Sequence, residues 1–348
     1  MAEIDYSKRS FSYYPTNAIV YATCIEGKWS KPVVTDNFNF SLHSFAGVFH
    51  YAPSCFEGLK AFRGVDGRVR LFRPDENAKR MESSAQYLDM PSPNMEMFLD
   101  LCVKCVQANW EFLPPTDSCG SLYLRPVLFG INPQLGIHSS RDVMFAVMAS
   151  GVGTYSGAKI LVPGTAVLSR NYDRAATYGS GGYKLGANYA QSLHAYNLAH
   201  KMGYRELLFL DSATHTHIEE FGSSNFFAIK HGCYITPNSP SVLPSITNKS
   251  LRKVAEMELG LKVERRTIFV DELETFEEVN SCGTAVVITP ISRIDDKVTL
   301  ESGTITREYK YMDECGPISK KLYDRIIGIQ KGIEEDTYGW CMFVNEPK

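Results

Sequence analysis

The stretch SGVGTYSGAK, Ser150 to Lys159, has glycines and small polar residues but no spacing that could bury a face. Apolar residues recur at strand and helix periods on both sides of it. A chain interrupted this way must bury a core in each flank. We therefore expect two domains, residues 1–150 and 160–348, joined by a loop at 151–159. The length of 348 residues suits two cores, and 44% hydrophobic against 22% charged residues is globular. The fold class expected is α/β, shading into α+β.

The first flank opens with strand-like alternation in NAIVYATCIEGKWS and FAGVFHYA. LKAFRGVDGRVRLFRP reads as a hairpin turning at Asp66-Gly67. Pro74 is expected to stop it, with Asp75 capping a helix from Glu76 to about Leu88. A second helix is expected to start at Ser92-Pro93 and end before Pro114. SLYLRPVLFG and DVMFAVMAS read as buried strands. In the second flank we expect a helix from about Ala187 to Met202, closed by Gly203. Strands ELLFLD, SNFFAI and CYITP follow, then a helix from about Asn248 to Leu259, strand TAVVITPI and a final helix around KKLYDRIIGIQKGI.

A net charge of −3 argues against nucleic acid or an anionic membrane as the main partner. No apolar run reaches the roughly 18–20 residues that cross a bilayer, and Glu3 and Asp5 are wrong for a transit peptide. The expectation is a soluble, cytoplasmic protein with its nine cysteines reduced. Cys102 and Cys105 form a C-x-x-C within a helical apolar pattern, and His215 and His217 sit in a polar turn. Neither has a second ligand pair at zinc-like spacing, so no metal is expected.

Lys184 lies in TYGSGGYKLGANYAQ and is the sole charge between Ala175 and His200. A lysine alone among glycines is either a solvated loop residue or an amine kept from water, where its charged form is disfavoured and it becomes nucleophilic. A phosphate loop would need Gly before the lysine and Ser or Thr after it; Tyr183 and Leu185 stand there instead. Glu219 and Glu220 precede Gly222 in HIEEFGSSNFFAI, flanked by Ile218 and Phe221, so at least one is expected to point inward and need a partner. LPSITNKS would present the N–H groups of Ser245, Ile246 and Thr247 at a helix N-terminus, an anion site. SCGTAVVITP offers a similar turn at Gly283 and Thr284. Alone, each reads equally as capping or turn chemistry.

Together these stretches resemble the fold-type IV pyridoxal-phosphate enzymes, most closely the branched-chain amino acid aminotransferases. The likeness runs from about Tyr21 to the end, carried by FEGLKAFRG with VRLFRP, SLYLRPVLFG, YKLGANYAQS, EEFGSSNFF, LPSITNKS and GTAVVITP. It implies a smaller N-terminal α/β domain and a larger C-terminal cofactor domain. It also implies transamination between leucine, isoleucine or valine and 2-oxoglutarate, giving glutamate, in a homodimer. D-Amino acid aminotransferases and aminodeoxychorismate lyases share the same lysine and acid; the aromatic wall and SLYLRPVL favour the branched-chain reading. A non-catalytic protein that has kept the pocket is a further alternative.

By matching positions, the resemblance makes Lys184 the residue that condenses with the aldehyde of pyridoxal 5'-phosphate. Tyr189 would bond its phenolic oxygen, Glu220 its pyridine nitrogen, and Arg80, Ile246, Thr247 and Thr284 its phosphate, with Ser223 at the ring's edge. Glu219 would be a solvent-facing or structural neighbour. Tyr51, Phe56, Tyr123 and Tyr155 would wall the substrate, with Ala285 alongside and Arg125 steering carboxylates. Leu135 and Ile137 match a loop that reaches the neighbouring subunit's site. Ala187 and Ser245 stand where many members carry glycine, and Val286 to Thr289 lack the C-x-x-C of some animal members.

Overall fold

In a computed structural model describing residues 4–153 and 161–347, the chain forms two compact units. One joins Met1–Ala158, Tyr183–Ala187 and Ile327–Lys348; the other joins Lys159–Gly182 and Asn188–Ile326. The division does not follow chain order alone, because the segment around Lys184 and the C-terminal segment belong with the N-terminal unit. The strand Val143–Val152 runs into the stretch expected as a linker.

The first unit is built on an antiparallel sheet in the order Cys341–Val344, Val69–Phe72, Leu59–Arg63, Ser121–Gly130, Val143–Val152, Ile19–Ile25, Lys28–Trp29. Ser54–Phe56 also pairs with Ser121–Gly130. Alternation sorts the central strand: Leu122, Leu124 and Leu128 enter the core, while Tyr123 and Arg125 stay half-buried on the other face. Helix Met95–Ala108 covers the core face with Phe98, Leu101, Cys102, Cys105 and Val106, and Phe98 stacks on Phe145 at 5.7 Å. Each such side chain contributes roughly 1.5–3 kcal/mol when fully buried. Burial pushes the Cys105 thiol up to about 12, as befits a core cysteine.

Three expectations for this unit need correction. Pro74 does not stop the hairpin but opens the helix Pro74–Tyr87, with Arg73 at its N-cap in the left-handed region; Asp75 lies in the first turn. Proline suits that place because its missing N–H would be unpaired there anyway. The second helix starts at Met95, because the Asn94 side chain accepts the Met97 N–H at 2.8 Å and outcompetes Ser92-Pro93. FAGVFHYA holds a short helix, Gly47–Tyr51, ended by Ala52 at φ 51°; so short a run has no period that separates helix from strand.

The second unit has a mixed sheet ordered Ile218–Phe221, Glu206–Leu210, Gly164–Ser169, Val287–Lys297, Glu278–Gly283, Asn225–Lys230, Cys233–Pro237, Lys262–Arg266. Glu220 also pairs with Asn225, so the sheet closes on itself at that hairpin. Two of the three parallel pairs join consecutive strands, and each of those connections carries a helix, the usual crossover for parallel pairing. Helix Gly186–Lys201 links Gly164–Ser169 to Glu206–Leu210, and helix Ile246–Met257 links Cys233–Pro237 to Lys262–Arg266. Gly203, at φ 87°, ends the first in a conformation other residues resist.

Candidate active site

Lys184 is held by its backbone. Its N–H donates to Ser84 Oγ at 3.0 Å, and its carbonyl accepts the Phe56 N–H at 3.1 Å. Leu185 beside it is buried in the first core. Tyr183 stacks on Tyr87, ring centroids 4.1 Å apart. Ser84 and Tyr87 lie four and seven residues after Arg80 in helix Pro74–Tyr87, so one helical face carries all three. The half-buried Lys184 side chain extends over the Phe56 ring, Nζ to centroid 4.8 Å.

Arg80 is gripped from the opposite strand segment. Its Nε and Nη2 donate to the two carboxylate oxygens of Glu57 at 2.7 and 2.8 Å. Glu57 is 0% exposed, and its Oε2 also accepts from Asn77 Nδ2 at 2.7 Å. A two-point contact of this kind fixes the guanidinium plane as well as its place. Nearby, Arg125 Nη2 donates to Tyr123 Oη at 2.9 Å and its guanidinium lies 4.7 Å from the Phe56 ring centre. Gly58 is glycine because a Cβ there would collide with the Tyr123 hydroxyl. Lys60, directly across from Tyr123, is pushed down to about 8 by burial. Tyr51 Oη donates to the Leu135 carbonyl at 2.5 Å, and Tyr51, Leu135 and Ile137 are all exposed. Tyr155 lies outside the described residues.

In the second unit Glu219 and Glu220 are both buried, so Glu219 is not the solvent-facing member of the pair. Glu220 Oε1 lies 3.0 Å from Arg174 Nη2 and accepts the Leu243 N–H at 3.1 Å. Its Oε2 accepts from Asn225 Nδ2 at 2.6 Å. Burial raises the carboxyl, and Arg174 and these donors pull it back. Asn225 Oδ1 in turn accepts from Asn248 Nδ2 at 3.1 Å, which ties the acid to the first turn of helix Ile246–Met257. Ser245 caps that helix by accepting the Asn248 N–H at 3.2 Å, and Ile246 and Thr247 are buried behind it. Thr284, Ala285 and Val286 form a half-buried turn that runs into Val287 at φ 68°. A β-branched residue there stores strain of roughly 1–3 kcal/mol, a sign of a backbone shaped for something other than stability. The Ser224 hydroxyl is buried without a partner among the described residues, whereas Ser223 is exposed. Tyr189 is half-buried in the first turn of helix Gly186–Lys201.

The glycines before Lys184 serve the second unit. A Cβ on Gly181 would collide with the Ser241 carbonyl, and one on Gly182 would lie 2.7 Å from the Pro240 carbonyl. The run is thin so that the Ser239–Leu243 turn can approach. Sequence reasoning missed Glu57, Lys60, Ser84, Arg174 and Asn225. Glu57 was visible inside FEGLKAF as an acid in an apolar run, and Arg174 as a lone cation before the glycines; their partners are distant in sequence and gave no signal.

Comparison with known proteins gives the family of the chain. The sequence model of the amino-transferase class IV family matches residues 54–294. A branched-chain-amino-acid aminotransferase of Helicobacter pylori is 41% identical over 345 residues, covering 99% of each chain. That of Haemophilus influenzae is 38% identical, covering 99% of this chain and 100% of its own. The branched-chain amino acid aminotransferase structure from Escherichia coli superposes with a TM-score of 0.73 at 26% identity, covering 95% of this chain and 100% of its own.

Proposed function

The chain belongs to the class IV amino-transferase family, and from that premise we propose that Lys184 is its catalytic amine, with 2-oxoglutarate as amino acceptor and glutamate as product. The reaction is pyridoxal-phosphate-dependent transamination of branched-chain amino acids. When bound, the cofactor supplies an aldehyde that takes up the amino group and a ring that draws off an electron pair.

The residues present suit that cofactor. Glu220, held by Arg174, the Leu243 N–H and Asn225, is a buried carboxylate of the kind a cationic ring nitrogen pairs with. Ser224 Oγ is a buried donor awaiting an acceptor. Arg80, Thr284 and the capped helix start at Ile246 and Thr247 offer donors of the kind phosphate takes. Glu220 holds the ring nitrogen, Tyr189 the phenolic oxygen, and Ser223 or its neighbour Ser224 the ring edge. The Lys184 amine would hold the cofactor by its aldehyde carbon and, when free, would take the proton from the amino acid's Cα. Tyr51, Phe56, Tyr123 and Tyr155 wall the aliphatic side chain, with Ala285 alongside. Arg125, fixed by Tyr123, meets the distal carboxylate of glutamate when that substrate occupies the same wall.

The observation that carries the reading is the three-way anchorage of the Lys184 segment by Ser84, Phe56 and Tyr87. Borohydride treatment of the cofactor-loaded protein, followed by peptide mapping, should place the fixed label on Lys184; a label elsewhere overturns the assignment. Replacing Lys184 by Ala should lower turnover of leucine by about 10³-fold or more. The reading includes a homodimer, in which exposed Tyr51, Leu135 and Ile137 meet a second copy, and light scattering tests it. It also includes a cytoplasmic location, which nine free thiols suit.

A further inference from the structure

We propose that Glu219 is a positioning residue for Glu220, anchoring the Ser239–Leu243 turn that supplies Glu220 with a backbone donor and fixes Arg174. The proposal rests on the assignment of Glu220 to the cofactor's ring nitrogen. Glu219 Oε1 accepts from Ser239 Oγ at 2.9 Å and from Ser241 Oγ. The two hydroxyls lie 2.8 Å apart, both directed at that one oxygen. Two residues on, Leu243 donates its N–H to Glu220 Oε1, and its carbonyl accepts from Asn225 Nδ2 at 3.1 Å. The same amide nitrogen holds Glu220 Oε2. Between them, the Ser241 carbonyl accepts from Arg174 Nη2, the nitrogen that faces Glu220. Gly181 and Gly182 leave room for the turn's carbonyls, where a Cβ would collide with them.

Each of these three partners of Glu220 is thus fixed by this turn or in contact with it, and Glu219 is the side chain that grips its two hydroxyls. Glu219 gains little on its own account. It is 2% exposed, and its Oε2 is buried with no partner among the described residues. A buried carboxylate with one oxygen unpaired is a net cost, so an apolar residue of similar volume would serve packing better. What the apolar residue could not do is accept two hydroxyls and hold the turn. The strand supplies the geometry: Glu219 and Glu220 are consecutive, so each reaches a different part of the same turn.

The test uses Glu219→Ala and Glu219→Gln, each alone and with Glu220→Ala. Cofactor affinity of the apoprotein, the pH midpoint of the bound cofactor's absorbance, and kcat and KM for leucine are measured. Glu219→Ala should shift the absorbance midpoint and lower kcat about tenfold with little change in KM. Glu219→Gln keeps an oxygen that accepts both hydroxyls and should restore most of the loss. With Glu220→Ala present, Glu219→Ala should add nothing to the fall in kcat. If Glu219→Ala does not fold, the Ser239→Ala, Ser241→Ala pair removes the same two bonds and should give the same shift. An unmoved absorbance midpoint and kcat in a folded variant, beside an impaired Glu220→Ala, overturns the proposal alone. So does a loss that adds fully to that of Glu220→Ala. If Glu220→Ala is itself unimpaired, the assignment of Glu220 fails, and the proposal with it.

Discussion

Each unit contains a buried carboxylate–guanidinium pair, and the two are built from the same groups with the roles exchanged. In the first unit, Glu57 holds Arg80 through two parallel bonds, and the arginine is the group we propose for the cofactor's phosphate. In the second, Arg174 sits against Glu220, and the acid is the group we propose for its ring nitrogen. The second pair has a further buried acid, Glu219, beside it. The supporting member is the acid in one case and the cation in the other.

The most severe way to break the comparison is Arg174→Met. It leaves two buried acids without a cation and should cost about 3–5 kcal/mol of stability, read by urea unfolding. Burial already raises both carboxyls while Arg174 lowers them. Without it both carboxyls rise further, so the loss should grow as pH rises above the ordinary carboxylate range. A loss under about 1 kcal/mol would place that pair with ordinary surface bridges. Next in size, Arg80→Lys should raise the cofactor's dissociation constant about 10- to 100-fold, because an ammonium cannot match Glu57 at two points. At saturating cofactor, kcat should fall much less. An equal fall in kcat would mean Arg80 acts on chemistry and not on binding alone.

The smallest effect sharpens the comparison with a buried acid that the nearby Arg205 only partly offsets. Glu206 is buried, its Oε2 is unpartnered among the described residues, and burial pushes it from 4.5 up to about 7. An acid raised in the folded state favours folding while protonated, and that stability is lost as pH climbs from 4.5 through about 7. Glu206→Gln should therefore be the more stable form at pH 8, by about 1 kcal/mol. The difference should vanish below the lower end of that window, and thermal unfolding across pH checks it.

The local half of this design was legible in the sequence. Asp66-Gly67 marked its hairpin, Gly203 its helix end, and SLYLRPVLFG its strand to the residue, because turn chemistry and period-two burial act on neighbours. The acid at Glu220 and the helix start at Ile246 were visible for the same reason. The pairings were not. Nothing in DRAATYGSGG says that Arg174 faces an acid 46 positions later, and nothing near Lys184 names Ser84. The strand Cys341–Val344 is too short to announce itself, and only its pairing with Val69–Phe72 makes it one. Of the two readings open for Glu219, solvent-facing or structural, the structure shows the second. The Ser239–Leu243 turn, 20 residues on, is what makes burial of both tolerable.

The register pair of Glu220 with Asn225 closes the second sheet into a ring. Its two side chains also bond to each other. The seam of the ring and the acid we propose for the cofactor's ring nitrogen are therefore one object, and whatever binds the acid is also a clasp on the fold. At a hundredfold excess over its dissociation constant, a ligand there holds the clasp shut by about 2.7 kcal/mol. Amide exchange along Ile218–Phe221 and Asn225–Lys230 is where loss of the ligand would first be felt.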